Sequence, residues 1–129
     1  MQEKFGGADI LVNSAVVAPG GAFHEQTPDD WEYSAQGNMT GLFSMCKAFV
    51  PTMVERQRGS IINISSIYGV VANDPSLYDG TDMKQPPDYT FVKAGMINFT
   101  RYLANYFGKH ASQYVTGTSL MVDGGFTTL

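Results

Sequence analysis

Tyr89 and Lys93 stand four residues apart, a spacing that on a helix puts both side chains on one face, one turn from each other. A phenol ordinarily holds its proton to pH ~10, and a neighbouring ammonium favours the phenolate, which brings proton exchange toward neutral pH. The pair is therefore a candidate acid/base unit. By itself the spacing arises easily in a chain with seven tyrosines. Ser66 adds weight, because it closes the run Ile61-Ile62-Asn63-Ile64-Ser65-Ser66, whose apolar, β-branched start reads as a strand. Ligands of open α/β sheets gather at the carboxyl ends of strands. A hydroxyl there can donate to the same carbonyl or alcohol oxygen that Tyr89 protonates. Standing alone, Ser65 and Ser66 would be ordinary strand-end residues entering a turn.

Asn38 is the fourth residue of interest, and its position makes it so. Thr27-Pro28-Asp29-Asp30 supplies an N-cap, a proline at the first helical position and acids at the positive end of the dipole. Apolar residues then recur at Trp31, Ala35, Leu42, Cys46, Phe49 and Met53 until Arg56, Arg58 and Gly59 end the helix, with Pro51 a kink point in its last turns. Asn38 falls on that stripe, where a buried amide must find hydrogen-bond partners.

The elements that position these residues alternate in type. Ile10-Leu11-Val12, ending in Asn13-Ser14, reads as a central strand buried on both faces. Pro86-Pro87-Asp88 opens a second helix with Val92, Met96, Phe99 and Leu103 on one face, stopping at Gly108 beside Lys109 and His110. Phe91, Tyr102 and Tyr106 give that helix a second apolar face suited to a subunit interface. Between Ile67 and Asp88, Gly69, Pro75, Gly80, Pro86 and Pro87 predict a long irregular excursion, either a lid bearing Asn73, Asp74, Asp79 and Asp82 or a solvated surface loop. Leu120-Met121-Val122, introduced by Tyr114-Val115-Thr116-Gly117 and closed by Asp123-Gly124-Gly125, reads as a last strand. Strand, helix, strand, helix, strand is the alternation of an α/β parallel sheet, with residues 1–129 as one domain.

Composition removes other classes. The 129 residues are 43% hydrophobic and 16% charged, with a net charge of -4 and no basic run, so no footprint for nucleic acid or an anionic membrane is present. Cys46 is the single cysteine; its apolar helical setting predicts a buried thiol and no internal disulfide. His24 and His110 lack metal-ligand spacing with Cys, Asp or Glu, so no metal site is expected. No apolar run reaches the ~20 residues that span a bilayer and no signal-peptide core begins the chain, so a cytoplasmic location is expected.

Taken in order, Leu11-Val12-Asn13-Ser14-Ala15, Asn38, Ile62-Asn63-Ile64-Ser65-Ser66, Tyr89 to Lys93, and Tyr114-Val115-Thr116-Gly117 through Val122-Asp123-Gly124-Gly125 resemble successive signatures of the short-chain dehydrogenase/reductase family. Five separated motifs in one order are far more specific than any one. The resemblance implies a partial Rossmann-like, doubly wound parallel sheet of about three strands with two long helices. It implies an NAD(P)-dependent oxidoreductase interconverting a small alcohol and a carbonyl. Tyr89 is then the proton donor or acceptor, Lys93 eases that transfer and holds the nicotinamide ribose, Ser66 steadies the substrate oxygen, and Asn38 supports a water-linked proton relay. Asn13 and Ala15 match the cofactor-side Asn-Asn-Ala-Gly segment, where Ser14 and Val16 replace the second Asn and the Gly. A β-branched residue at the glycine position gives the cofactor a different wall.

Two family segments are missing. No Gly-x-x-x-Gly-x-Gly or Gly-x-Gly-x-x-Gly turn occurs, so the pyrophosphate cradle and the residue choosing NAD or NADP are absent. Near His110-Ala111 the pattern lacks a strand and its Pro-Gly turn. Both helices should then cover one face of the sheet and leave the other bare. The expectation is a truncated or internally deleted member, or part of a longer chain, that forms homo-oligomers through its two long helices. The alternative is a catalytically inactive module that serves in binding or assembly. A nucleotide-sugar epimerase or dehydratase shares the Tyr-x-x-x-Lys device, but the closing Asp123-Gly124-Gly125 signature argues against it.

Overall fold

The structure, a computed structural model, describes residues 6–84, 86–111, 117–124 and 126–128. Its regular elements are strand β1 (Ile10–Asn13), helix α1 (Pro28–Ser34), a π-helical stretch (Ala35–Thr40), helix α2 (Gly41–Glu55), strand β2 (Ser60–Asn63) and helix α3 (Pro87–Ala111). Short 3-10 turns occur at Ile67–Gly69, Pro75–Tyr78 and Phe126–Thr128. The cap of α1 forms as its sequence dictates. The Thr27 hydroxyl accepts from the Asp30 N–H at 3.3 Å, while the Asp30 carboxylate accepts from the Thr27 N–H at 2.8 Å.

β1 and β2 pair in parallel, Ile10 opposite Ser60 through Asn13 opposite Asn63. The ladder extends one step further, since the Ile64 N–H donates to the Asn13 carbonyl at 2.9 Å. The two long helices share one face of this ribbon. Leu11, Cys46, Val50, Met53 and Leu103 form the buried cluster there, with Phe49, Ile61 and Phe99 packed against it. Burying a side chain as large as Met53, 2% exposed, contributes roughly 1.5–3 kcal/mol.

The long helices leave the opposite face open, as the helix count implied. Ile10, Val12, Ile62 and Ile64 all lie exposed on it, so β1 is buried on one face only rather than on both. An alternation of buried and exposed positions replaces the continuous burial expected of a central parallel strand.

Three boundaries differ from expectation. Leu120-Met121-Val122 is not a strand: among the described residues the sheet has two strands. Residues 118–122 instead line the far side of a cleft of about 500 Å3 whose near wall is β2. No ladder bond joins them to β2 among the described residues, and Leu120 and Val122 are more than four-fifths exposed. Tyr114-Val115-Thr116, expected to lead into that strand, and Gly125, expected to close it, lie outside the described residues. Helix α3 continues past Gly108 to Ala111, because a glycine ends a helix only where the chain turns away, and helix ends carry that latitude. The single helix expected from Thr27 onward runs through Pro51 to Glu55, but its irregularity comes earlier, as the π-helical stretch around Asn38.

Candidate active site

β2 ends by delivering Ser65 and Ser66 beside the first turns of α3. The Ser65 hydroxyl donates to the Lys93 carbonyl at 2.8 Å. Ser66 caps the following 3-10 turn, its Oγ accepting from the Tyr68 N–H at 3.2 Å, and that bond leaves the hydroxyl hydrogen for another acceptor. The turn then presses directly on α3. A Cβ at Gly69 would lie 2.8 Å from the Lys93 carbonyl carbon and oxygen, so only a residue without a side chain lets the two backbones approach this closely.

Lys93 is almost wholly buried, at 4% exposure. Its ammonium donates to the Ile64 carbonyl at 2.7 Å and lies 5.5 Å from the centre of the Tyr89 ring. Burial holds its pKa below the ordinary lysine value, since a desolvated ammonium loses hydration. One bond to Ile64 leaves two of its three hydrogens for other acceptors. Tyr68 stands near the same place and bonds Tyr78 through their hydroxyls at 2.8 Å. That bond is the main cause of a Tyr68 pKa above the usual phenol range.

Asn38 is buried and fully engaged. Its Oδ1 accepts from the Val17 N–H at 2.8 Å, and its Nδ2 donates to the Val17 carbonyl at 2.6 Å and to the Ser34 hydroxyl at 3.0 Å. The amide thus clamps both backbone groups of Val17, where the chain leaves β1. Gly37 permits the approach, because a Cβ there would meet the Val17 side chain at 2.6 Å. The π-helical widening and the clamp coincide, and π-bulges accumulate at functional positions.

Asn13 turns inward between the strands. Its Nδ2 donates to Asn63 Oδ1 at 2.8 Å and approaches Cys46 Sγ at 3.8 Å, while Asn63 donates onward to Thr100 at 2.8 Å. The Asn13 amide nitrogen thereby joins β1 to β2 and to α2, and Asn63 carries the link on to α3. Ala15 and Val16 are exposed just beyond. Cys46 is buried as expected, and burial pushes its thiol pKa up. His24 is exposed, and no cluster of metal-binding side chains exists among the described residues.

Lys93 is therefore the junction, its ammonium beside the Tyr89 ring and its carbonyl bonded to Ser65, with Asn38 on the adjoining helix. Sequence reasoning missed Ser34, Gln26 and Asp88, which join Asn38 to the start of α3. Ser34 carried a signal in its spacing, four residues before Asn38 on a helix. In the sequence Asp88 reads only as part of the Pro86-Pro87-Asp88 opening of the second helix.

The model of the short chain dehydrogenases matches residues 1–119. The chain belongs to the short-chain dehydrogenase family. It is 36% identical over 104 residues to an acetoacetyl-CoA reductase of Shinella zoogloeoides, a match covering 81% of this chain and 39% of that protein. Its fold matches a short chain dehydrogenase from Leptospira borgpetersenii solved with bound NAD+, with 30% identity and a TM-score of 0.75 over 85% of this chain and 42% of that one. It also has the fold of a gluconate 5-dehydrogenase from Burkholderia cenocepacia solved with NADP and tartrate, with a TM-score of 0.73 at 24% identity over 85% of this chain and 39% of that one. The chain thus spans about two fifths of the length of these family members. No described helix is long and apolar enough to cross a membrane.

Proposed function

We infer that this chain carries the proton-transfer half of an NAD(P)-dependent oxidoreductase that interconverts a small-molecule alcohol and a carbonyl. The observation that carries the reading is the buried Lys93, its ammonium 5.5 Å from the Tyr89 ring and bonded to the Ile64 carbonyl, two residues before Ser66. Tyr89 gives a proton to the carbonyl oxygen in reduction and takes it back in oxidation. Ser66 donates to the same oxygen as charge develops on it. With its side chain committed to Val17 and Ser34, Asn38 serves the proton path through its backbone in the widened helical turn.

The dinucleotide, NAD or NADP, supplies hydride when bound. Lys93 and Tyr89 fit its nicotinamide ribose, with two ammonium hydrogens to offer, and the exposed Ala15 and Val16 follow the carboxyl end of β1. No glycine-rich turn at a helix N-terminus is present in the sequence for its pyrophosphate.

A second reading, a non-catalytic assembly module, is favoured by the uncovered apolar surface. The Ile10, Val12, Ile62 and Ile64 face and the exposed Phe91, Tyr102 and Tyr106 stripe of α3 both suit a partner, and the helical stripe suits a second copy of the chain. Titration of NADH and NADPH fluorescence separates the readings. Saturable micromolar binding supports the oxidoreductase, and absence of binding defeats unaided catalysis.

A further inference from the structure

The first turn of α3 holds a carboxylate deep inside the protein. Asp88 is 2% exposed. Its Oδ2 accepts from the Ser34 hydroxyl at 2.6 Å, and its Oδ1 accepts from the Gln26 side-chain amide. Both donors are neutral groups. Ser34, 1% exposed, in turn accepts from Asn38, and Gln26 also donates to the Gly20 carbonyl at 2.9 Å. One carboxylate thereby ties together the loop after β1, the widened turn around Asn38 and the start of α3. At the surface, Glu25 and Lys84 join the same two stretches by an ion pair.

A helix start does not require this arrangement. An exposed acid satisfies the dipole at little cost, whereas a buried carboxylate with neutral donors gives up hydration that hydrogen bonds only partly replace. What the burial secures is geometry. Asp88 is the residue before Tyr89, so their α-carbons lie about 3.8 Å apart, and fixing the Asp88 side chain against two other segments fixes the backbone from which the Tyr89 phenol projects.

We propose that Asp88 is a positioning residue, whose carboxylate holds the first turn of α3 against the Asn38 segment and so sets the place of the Tyr89 phenol beside Lys93. The proposal rests on the reading of Tyr89 as the acid/base. Asp88 itself, buried behind the turn, touches no substrate.

The test uses the full chain with 13C-labelled tyrosine, the Tyr89 resonance being assigned by its loss in Tyr89→Phe, together with steady-state kinetics. Asp88→Ala is expected to displace or broaden the Tyr89 resonance and to lower kcat by roughly 10²-fold, the loss that misplacement of a reacting group by about an ångström produces, with KM little changed. Asp88→Asn keeps an acceptor for Ser34, and the buried, unpartnered Gln26 Oε1 can turn to receive its amide, so this variant should recover a near-native resonance and most of kcat. An Asp88→Ala protein with unaltered Tyr89 resonance and kcat, whatever its melting temperature, overturns the proposal. Should that variant fail to fold, Ser34→Ala decides: a displaced resonance supports the proposal and a native one overturns it. Wild-type protein that binds neither nucleotide and turns over no carbonyl defeats the acid/base reading separately, and the resonance displacements still judge the placement.

Discussion

Replacing Asn38 probes the clamp at the centre of the site. Its amide makes three hydrogen bonds, two to Val17 and one to Ser34. A typical hydrogen bond contributes about 1 kcal/mol net, and a buried group left unpaired costs about 1–3 kcal/mol. Val17 is half-buried, so water re-pairs part of what Asn38→Ala exposes, and the expected loss is about 2–4 kcal/mol. Asn38→Asp has nearly the same shape and sharpens the test. One oxygen still accepts from the Val17 N–H, but the other faces the Val17 carbonyl across a site where Nδ2 now sits at 2.6 Å. It also faces a Ser34 hydroxyl whose hydrogen is committed to Asp88. Two donations become oxygen–oxygen repulsions, so Asn38→Asp should be at least as damaging as Asn38→Ala. Urea unfolding followed by the fluorescence of Trp31, the one tryptophan, which packs edge-on against Phe91 at 5.8 Å, reads the effect as a shift of midpoint at constant slope. Stabilities within about 0.5 kcal/mol of wild type for both variants, the range of an ordinary surface change, would refute the clamp.

Other outcomes follow from the core and from Lys93. Met53→Ala, at a position 2% exposed, should cost about 2–5 kcal/mol through lost burial and the cavity left behind, measured by the same unfolding. Lys93 has a folded pKa below its unfolded value, so below the unfolded pKa near 10.5 the unfolded chain binds the proton more readily and stability rises with pH. The burial penalty is complete below the folded pKa and disappears as pH climbs through 10.5. Wild type should therefore gain stability relative to Lys93→Met between neutral pH and pH ~10.4, and a difference that stays flat or shrinks would contradict the buried ammonium.

Much of the site was legible because its chemistry depends on spacing within one element. Tyr89 and Lys93 share a helical face by arithmetic alone, Ser66 follows from where β2 must end, and Asn38 stood out as an amide on an apolar stripe. The helix-free face of Ile10 and Ile62 followed from counting helices against strands. What stayed hidden depends on contacts between distant segments. Gln26, Ser34 and Asp88 meet across 62 and 54 positions of chain, and no local pattern announces that. The π-helical turn arises because Gly37 lets Asn38 reach Val17, a tertiary demand laid on a regular helical period. Leu120 to Val122 has the composition of a strand but pairs with no strand among the described residues, and strand character is realised only in a partner's presence.

The central claim is that Tyr89 transfers the substrate proton through its phenol hydroxyl. The direct measurement is NADH- or NADPH-dependent carbonyl reduction by the full chain and its Tyr89→Phe variant, with nucleotide affinity determined in parallel. Turnover lower by about 10²–10⁴-fold, the span of a lost general acid, with a much smaller change in nucleotide affinity is the expected result. Turnover by Tyr89→Phe at the wild-type rate would contradict it.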